Sequence, residues 1–304
     1  EMCCLKGFRL MKAKVENLNT FFQGEINLNG KKYLLPGVIK GEEVEVTLNK
    51  EKNYVKLDKI ITPSGKRVNP PCDIYQKCGG CQLLHISYPE QLKLKTEMVI
   101  NLFKEAGIKA NINNIIGMAS PKEYRNKNQV VFGFDEKRHV VSGFYQEYSH
   151  KIVNFTKCYV QDPYADEIVG TIKDLMSKMH LMPYNEDKGT GLIRHVMIKR
   201  SKVLNQTMVV VVTSSENFPG RQNFLKALLA KHKDITTIVQ NVNPKKTTQV
   251  LGDKDIVLYG KGYINDILCD KKFNISPKSF YQINPLLVVF VAIQYCFLID
   301  FRFF

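Results

Sequence analysis

Residues 72–85, CDIYQKCGGCQLLH, decide how the rest of the chain is read. Three cysteines, Cys72, Cys78 and Cys81, stand at C-x5-C-x2-C spacing on a Gly-Gly turn. Three thiols this close rarely gather for packing alone, and with no export signal ahead of them they suit a soft metal or an iron-sulfur cluster better than disulfides. Gly79 and Gly80 let the backbone turn tightly, so that thiolates and several N–H groups can converge on one centre. Such a centre needs a fourth ligand. His85 supplies one locally, at C-x3-H, near the spacing of a small zinc site; a distant cysteine folding back supplies another, and Cys158 in FTKCYVQD is the candidate.

The surrounding composition places this loop in a basic globular protein. The chain has 304 residues, room for two or three domains, and 44% apolar residues are enough to build cores. Its formal charge of +15 and pI of about 9.3 are spread along the sequence and not confined to a tail. Such a field attracts polyanions, by default nucleic acid, although a generic lysine-rich protein carries the same charge. The eight cysteines include the adjacent pair Cys3 and Cys4 and the isolated Cys269 and Cys296, which is not a secreted disulfide framework. Without an n-region, h-region and cleavage site at its start the chain is expected in the cytoplasm, and its first residue, Glu1, suggests a fragment or an upstream read-in, with Met11 a candidate start.

Upstream of the loop, residues 8–62 alternate short apolar runs with Asn-Gly and Pro-Gly turns, the pattern of a small OB-like β-barrel. Tyr33, Tyr54, Lys52 and Lys56 are candidates for an RNA-facing surface on it. TPSGKRVNPP, 62–71, is a linker by composition. Downstream, Ser87 and Glu90 spell a capping box ahead of a helix whose stripe, Leu92 to Ala106, is expected to face a core and whose stop is Gly107. Residues 122–146 read as a hairpin around a charged turn, with Arg125 and Lys127 suited to phosphate contacts. Asp162-Pro163 opens a second amphipathic helix with Ile168, Ile172, Leu175 and Met179 inward. LIRHVMIKRS and QTMVVVVTSS form a hairpin, followed by a helix over 221–233 and the strand TTIVQNVN, an α/β layer with a buried strand at 208–212. His195 is a catalytic candidate by type, but a lone histidine in a strand is more often structural.

CDIYQKCGGC followed by QLKLK, YRNKNQVVF, GFYQ with FTKC, GLIRHVMIKRS and SPKSFYQINP occur in an order that resembles the bacterial RNA uracil-C5 methyltransferases, most closely those that make 5-methyluridine in 23S ribosomal RNA. The resemblance covers roughly 11–285. It implies a multidomain α+β protein: a TRAM barrel over 8–62, an iron-sulfur loop over 63–92 completed by 150–160, and a central α/β RNA-binding domain over 93–285. It implies a 4Fe-4S cluster on Cys72, Cys78, Cys81 and Cys158, which favours Cys158 over His85. In the family's F-x-Q-x-N motif the glutamine lies at the cofactor and target-base site, here Gln282, and the aromatic two positions earlier, here Phe280, stacks on a flipped uracil. The implied cofactor is S-adenosylmethionine and the partner RNA, 23S rRNA first, with no DNA, no membrane and a monomeric state.

After SPKSFYQINP the family continues into a Rossmann-like domain that holds the cofactor loop, the cysteine that adds to uracil C6 and an acid/base carboxylate, on the order of a hundred residues or more. Here LLVVFVAIQYCFLIDFRFF follows, an apolar tail over 286–304 in which Cys296 has no nearby base. The expectation is a copy truncated before the methyltransferase domain, with no catalytic residue of its own and inactive alone, in which the cluster is structural or RNA-positioning because methyl transfer to C5 is not a redox step. The alternative is a non-catalytic RNA-binding protein with zinc on Cys72, Cys78, Cys81 and His85. A membrane-tethered form is weaker, since the apolar stretch is shorter than the ~20 residues a span requires.

Overall fold

The computed structural model describes residues 8–289 apart from 50, 52 and 148, and these fall into two compact units, 1–117 and 118–304. Lys52, Cys296 and the tail from 290 onward lie outside the described residues.

The first unit begins with five strands: β1 (Phe8–Leu18), β2 (Gly24–Leu28), β3 (Lys31–Leu35), β4 (Glu43–Asn49) and β5 (Tyr54–Thr62). They form one antiparallel sheet in the order β3-β2-β1-β4-β5. Asn29 and Gly30, both at positive φ (54° and 80°), make the tight turn between β2 and β3 that the Asn-Gly pair demands. Alternate residues turn inward, so Val15, Ile26, Leu28, Leu35, Val38, Val44, Val46 and Leu48 pack into a single apolar core. The two edge strands, β3 and β5, come close to each other, and Lys31 Nζ donates to Asn53 Oδ1 at 2.7 Å across that opening.

The segment read as a linker is pinned. Glu42 is fully buried and accepts from Arg67 Nε and Nη2, both at 2.7 Å, and from the N–H groups of Ile39 and Ser64. Burial alone would raise the Glu42 carboxyl, but the Arg67 hydrogen bonds and the two N–H donors outweigh it and hold the pKa below the usual carboxylate value. Composition could mark 62–71 only as a linker, because it cannot show that Arg67 meets a carboxylate 25 positions upstream.

Past α1 (Tyr75–Cys78), whose C-cap Gly79 is left-handed at φ 67°, comes α2 (Tyr88–Glu105). Two expectations for α2 are corrected. Ser87 is the N-cap but makes no side-chain cap hydrogen bond, so the capping box is not formed. No residue of α2 is buried: Leu92 and Val99 are half-buried and Leu94 packs against Ile39, Leu83 and Ile86, but Ile100, Leu102 and Phe103 are exposed, so the C-terminal half of the stripe is open. Gly107 does end the helix, at φ 69°.

The second unit is a seven-stranded sheet, β12-β11-β10-β9-β6-β7-β8. Its strands are β6 (Lys127–Phe134), β7 (Val140–Tyr145), β8 (Ile152–Asn154), β9 (Ile193–Ser201), β10 (Gln206–Thr213), β11 (Ile235–Val242) and β12 (Lys254–Tyr259). Only the β10–β11 pair in it is parallel, joined through α4 (Arg221–Lys231). With α3 (Pro163–Lys178), α4 covers one face, over Val130, Phe132, Val196, Ile198, Val209 and Val211. On the other face Met197, Met208, Val210 and Val212 pack against Ile264 and Ile275 of the hairpin β13 (Ile264–Leu268) and β14 (Lys271–Ile275). Asp162 caps α3, accepting from the N–H groups of Tyr164 and Ala165, and Ile168 and Ile172 are fully buried, as the sequence pattern requires.

Candidate nucleic-acid interface

β9 and β6 lie side by side in antiparallel register, Lys199 opposite Lys127 and Ile198 opposite Asn128. That register is unfavourable by itself, since like charges directly across a pair of strands repel. Over the same strand ends runs the 276–284 segment, SPKSFYQIN, fixed by backbone contacts. Asn126 Nδ2 donates to the Gln282 carbonyl at 2.9 Å, and the Asn126 N–H to the Ile283 carbonyl at 3.0 Å. Lys199 Nζ donates to the carbonyls of Ser276 (2.9 Å) and Ser279 (2.8 Å). The two serines close the turn around Pro277, each hydroxyl accepting from the other residue's N–H. Asn284 then accepts from the Leu287 N–H at 3.2 Å and starts the helical turn at 285–289.

This frame sets the side chains apart. Tyr281 turns inward against Phe273, with ring centroids 6.2 Å apart, whereas Phe280 is 84% exposed and Gln282 is exposed beside it. A phenyl ring so far out of the core has no packing role in this unit. The Gln282 carboxamide is open to solvent on a pinned backbone, which fits a polar contact to a bound ligand. Arg125 is half-buried with no partner at its Nε among the described residues, and Lys127 is half-buried opposite another cation. The buried carboxylate Asp162 is already engaged by Arg200 (2.7 Å) and Lys202 (3.2 Å). Burial alone would raise Asp162, but Arg200 and Lys202 keep its pKa below the ordinary value. Arg200 and Lys202 thus serve the fold, while Arg125 and Lys127 have charge to spare for an anion. Phe280, Gln282, Arg125 and Lys127 all belong to this unit; the sequence did not flag Asn126 or Lys199. In GLIRHVMIKRS the signal was available: a lysine at a position that reads as the inside of a buried strand.

His195 is buried between Val131 and Val212 on the neighbouring strands, and its Nδ1 has no hydrogen-bond partner among the described residues. Burial, with Arg194 adding to it, brings its pKa down to about 4, so the ring is neutral and part of the sheet interior.

The cysteines divide between the units. Cys72, Cys78 and Cys81 are half-buried on the loop around α1, where a Cβ at Gly80 would meet Cys78 Sγ at 3.3 Å. Cys158 is buried, its N–H donating to Asp166 Oδ2 at 2.9 Å; burial pushes the Asp166 carboxyl up to about 6. None of these cysteines is in a disulfide. The donor chemistry suits a thiolate-bound centre, but among the described residues no group of three or more His, Cys, Asp or Glu side chains is gathered as a metal site. His85 is spoken for: its Nδ1 lies 2.6 Å from the Tyr75 hydroxyl and its Nε2 3.3 Å from the Val38 carbonyl, inside a nearly closed environment. With both ring nitrogens engaged, it would have to give up a hydrogen bond to bind a metal.

On the first unit Tyr54 and Lys56 are exposed and Tyr33 is half-buried under Lys31, 5.6 Å from its ring centroid. No helix among the described residues is long and apolar enough to cross a membrane.

No family model matches the chain. Over 276 residues it is 41% identical to an uncharacterized RNA methyltransferase of Clostridium tetani, an alignment covering 90% of this chain and 60% of that protein. Over 290 residues it is 36% identical to a similarly named protein of Listeria monocytogenes, covering 94% of this chain and 64% of the other. The chain thus spans about three fifths of the length of these curated relatives. Among solved structures it matches the Pyrococcus abyssi tRNA (uracil-54, C5)-methyltransferase in complex with S-adenosyl-L-homocysteine, with a TM-score of 0.72 and 23% identity over 95% of this chain and 65% of that one. By sequence the chain is similar, along nine tenths of its length, to proteins named RNA methyltransferases, and it shares its mixed α/β fold with a uracil-C5 RNA methyltransferase.

Proposed function

We propose that this chain supplies the RNA-engaging part of an S-adenosylmethionine-dependent RNA uracil-C5 methyltransferase, with 23S rRNA as its target. The observation that carries the reading is Phe280, 84% exposed on a segment pinned at both ends, one anchor being Asn126 between the half-buried cations Arg125 and Lys127. A base taken out of its stack loses a few kcal/mol, and an exposed aromatic face on a rigid mount returns part of it. Phe280 stacks on the extruded uracil, and the Gln282 carboxamide makes the polar contact at the cofactor and base. Arg125 and Lys127 hold phosphates, which also relieves the repulsion between Lys127 and Lys199. S-adenosylmethionine, when bound, supplies the methyl group. Cys72, Cys78, Cys81 and Cys158 hold a 4Fe-4S cluster with a structural role. The zinc alternative is the weaker one, because His85 already uses both ring nitrogens.

Cross-linking tests the reading directly. Single-stranded RNA carrying 4-thiouridine, irradiated with the protein and digested, is expected to label the peptide containing Phe280 and Gln282. Labelling confined to the strands of 8–62, with none on 276–284, contradicts it.

A further inference from the structure

One buried cation enters that account only as an anchor. Lys199 lies on β9 with 6% of its surface exposed, and removing an ammonium from water is costly unless its donors are met. An apolar side chain would fill the strand position more cheaply. Burial, with Lys127 opposite, brings the Lys199 pKa down to about 8. Its Nζ holds the carbonyls of Ser276 and Ser279, the two ends of the serine-closed turn, and the next residue is Phe280. On the far side of Phe280, Asn126 holds the carbonyls of Gln282 and Ile283. The exposed ring therefore stands between one anchor from β9 and one from the residue just before β6. Left to itself, a phenyl ring gains by folding down onto apolar surface, so something must keep it out.

We propose that Lys199 is a positioning residue: by holding the Ser276 and Ser279 carbonyls it keeps Phe280 standing away from the surface, ready to stack on an RNA base. The stacking half of this rests on the function proposed above; the clamp does not.

The chain contains no tryptophan, so Phe280→Trp puts a single fluorophore at the tip of the segment. In that background Lys199→Met and Lys199→Arg are compared by fluorescence anisotropy and thermal unfolding. Lys199→Met is expected to lower the anisotropy by roughly a third, as the tip gains nanosecond motion. Lys199→Arg, which still donates to two carbonyls, is expected to recover at least half of that loss. Anisotropy unchanged in a folded Lys199→Met protein overturns the clamp. Where Lys199→Met does not fold, Lys199→Gln, which keeps one donor group, takes its place with the same expected loss. A uridine-rich single strand is then added to the Phe280→Trp protein: quenching supports the stacking half. Absence of quenching with the anisotropy loss intact overturns the stacking half and leaves the clamp in place.

Discussion

Single residues here are settled by what they pair with, not by their type. His195, a catalytic candidate by type, is a neutral ring inside the sheet with its pKa brought from 6.5 down to about 4. Between those two values the unfolded chain binds a proton that the folded one refuses, so stability from this group is complete above pH 6.5 and falls as the pH drops toward 4. Acidifying from pH 7 to pH 4 is expected to remove on the order of 3 kcal/mol through this residue. Urea midpoints at pH 4.5 and pH 7 in the parent and in His195→Leu check it: the variant should lose a large part of the difference, and an equal difference in both refutes it. Glu42 has the same sign in a lower pH window. Its carboxyl is held low by Arg67, so its contribution is present above the ordinary value and lost as pH falls through the lowered one. Neither partner could be read from the sequence, because Arg67 lies 25 positions from Glu42 and nothing local links them.

Elements were legible where the chain states its own boundary. Asp162-Pro163 announces α3, and Asp162 caps it, accepting from the N–H groups of Tyr164 and Ala165. The Asn29-Gly30 turn, the hairpin of β6 and β7 and the buried run of β10 were likewise visible in turn chemistry and apolar runs. For α2 the same rules failed at the point where tertiary structure decides. An amphipathic stripe says that a helix has an apolar face, not that a partner covers it, and Leu102 and Phe103 are exposed. The contrast is measurable. Ile172→Ala in α3, at a position with no exposed surface, is expected to cost about 2–5 kcal/mol, whereas Leu102→Ala in α2 should cost under about 1 kcal/mol. Comparable losses for the two in chemical denaturation would show that α2 is packed after all.

At the scale of the whole molecule, the order of motifs carried the resemblance, and the charge of +15 fits a nucleic-acid partner as well as a generic lysine-rich protein. What the sequence withheld is the meeting of distant segments: Lys199 reaches Ser276 and Ser279 across 77 and 80 positions, and Asn126 reaches Gln282 across 156. The cluster is a claim at this scale as well, since its proposed ligands come from both compact units. Anaerobically purified protein is expected to be brown with about four irons per chain, and Cys158→Ser to lose the colour and most of the iron. A colourless protein with one zinc that ignores Cys158 would refute the cluster. The most direct test of the central claim is the affinity of the chain for a uridine-bearing 23S rRNA fragment across a salt series, with Phe280→Ala beside Phe21→Ala, a control ring that is 74% exposed on the first unit. Phe280→Ala is expected to weaken binding about tenfold at every salt concentration with an unchanged salt slope, and Phe21→Ala to have little effect. Equal affinities for Phe280→Ala and the parent would contradict the account.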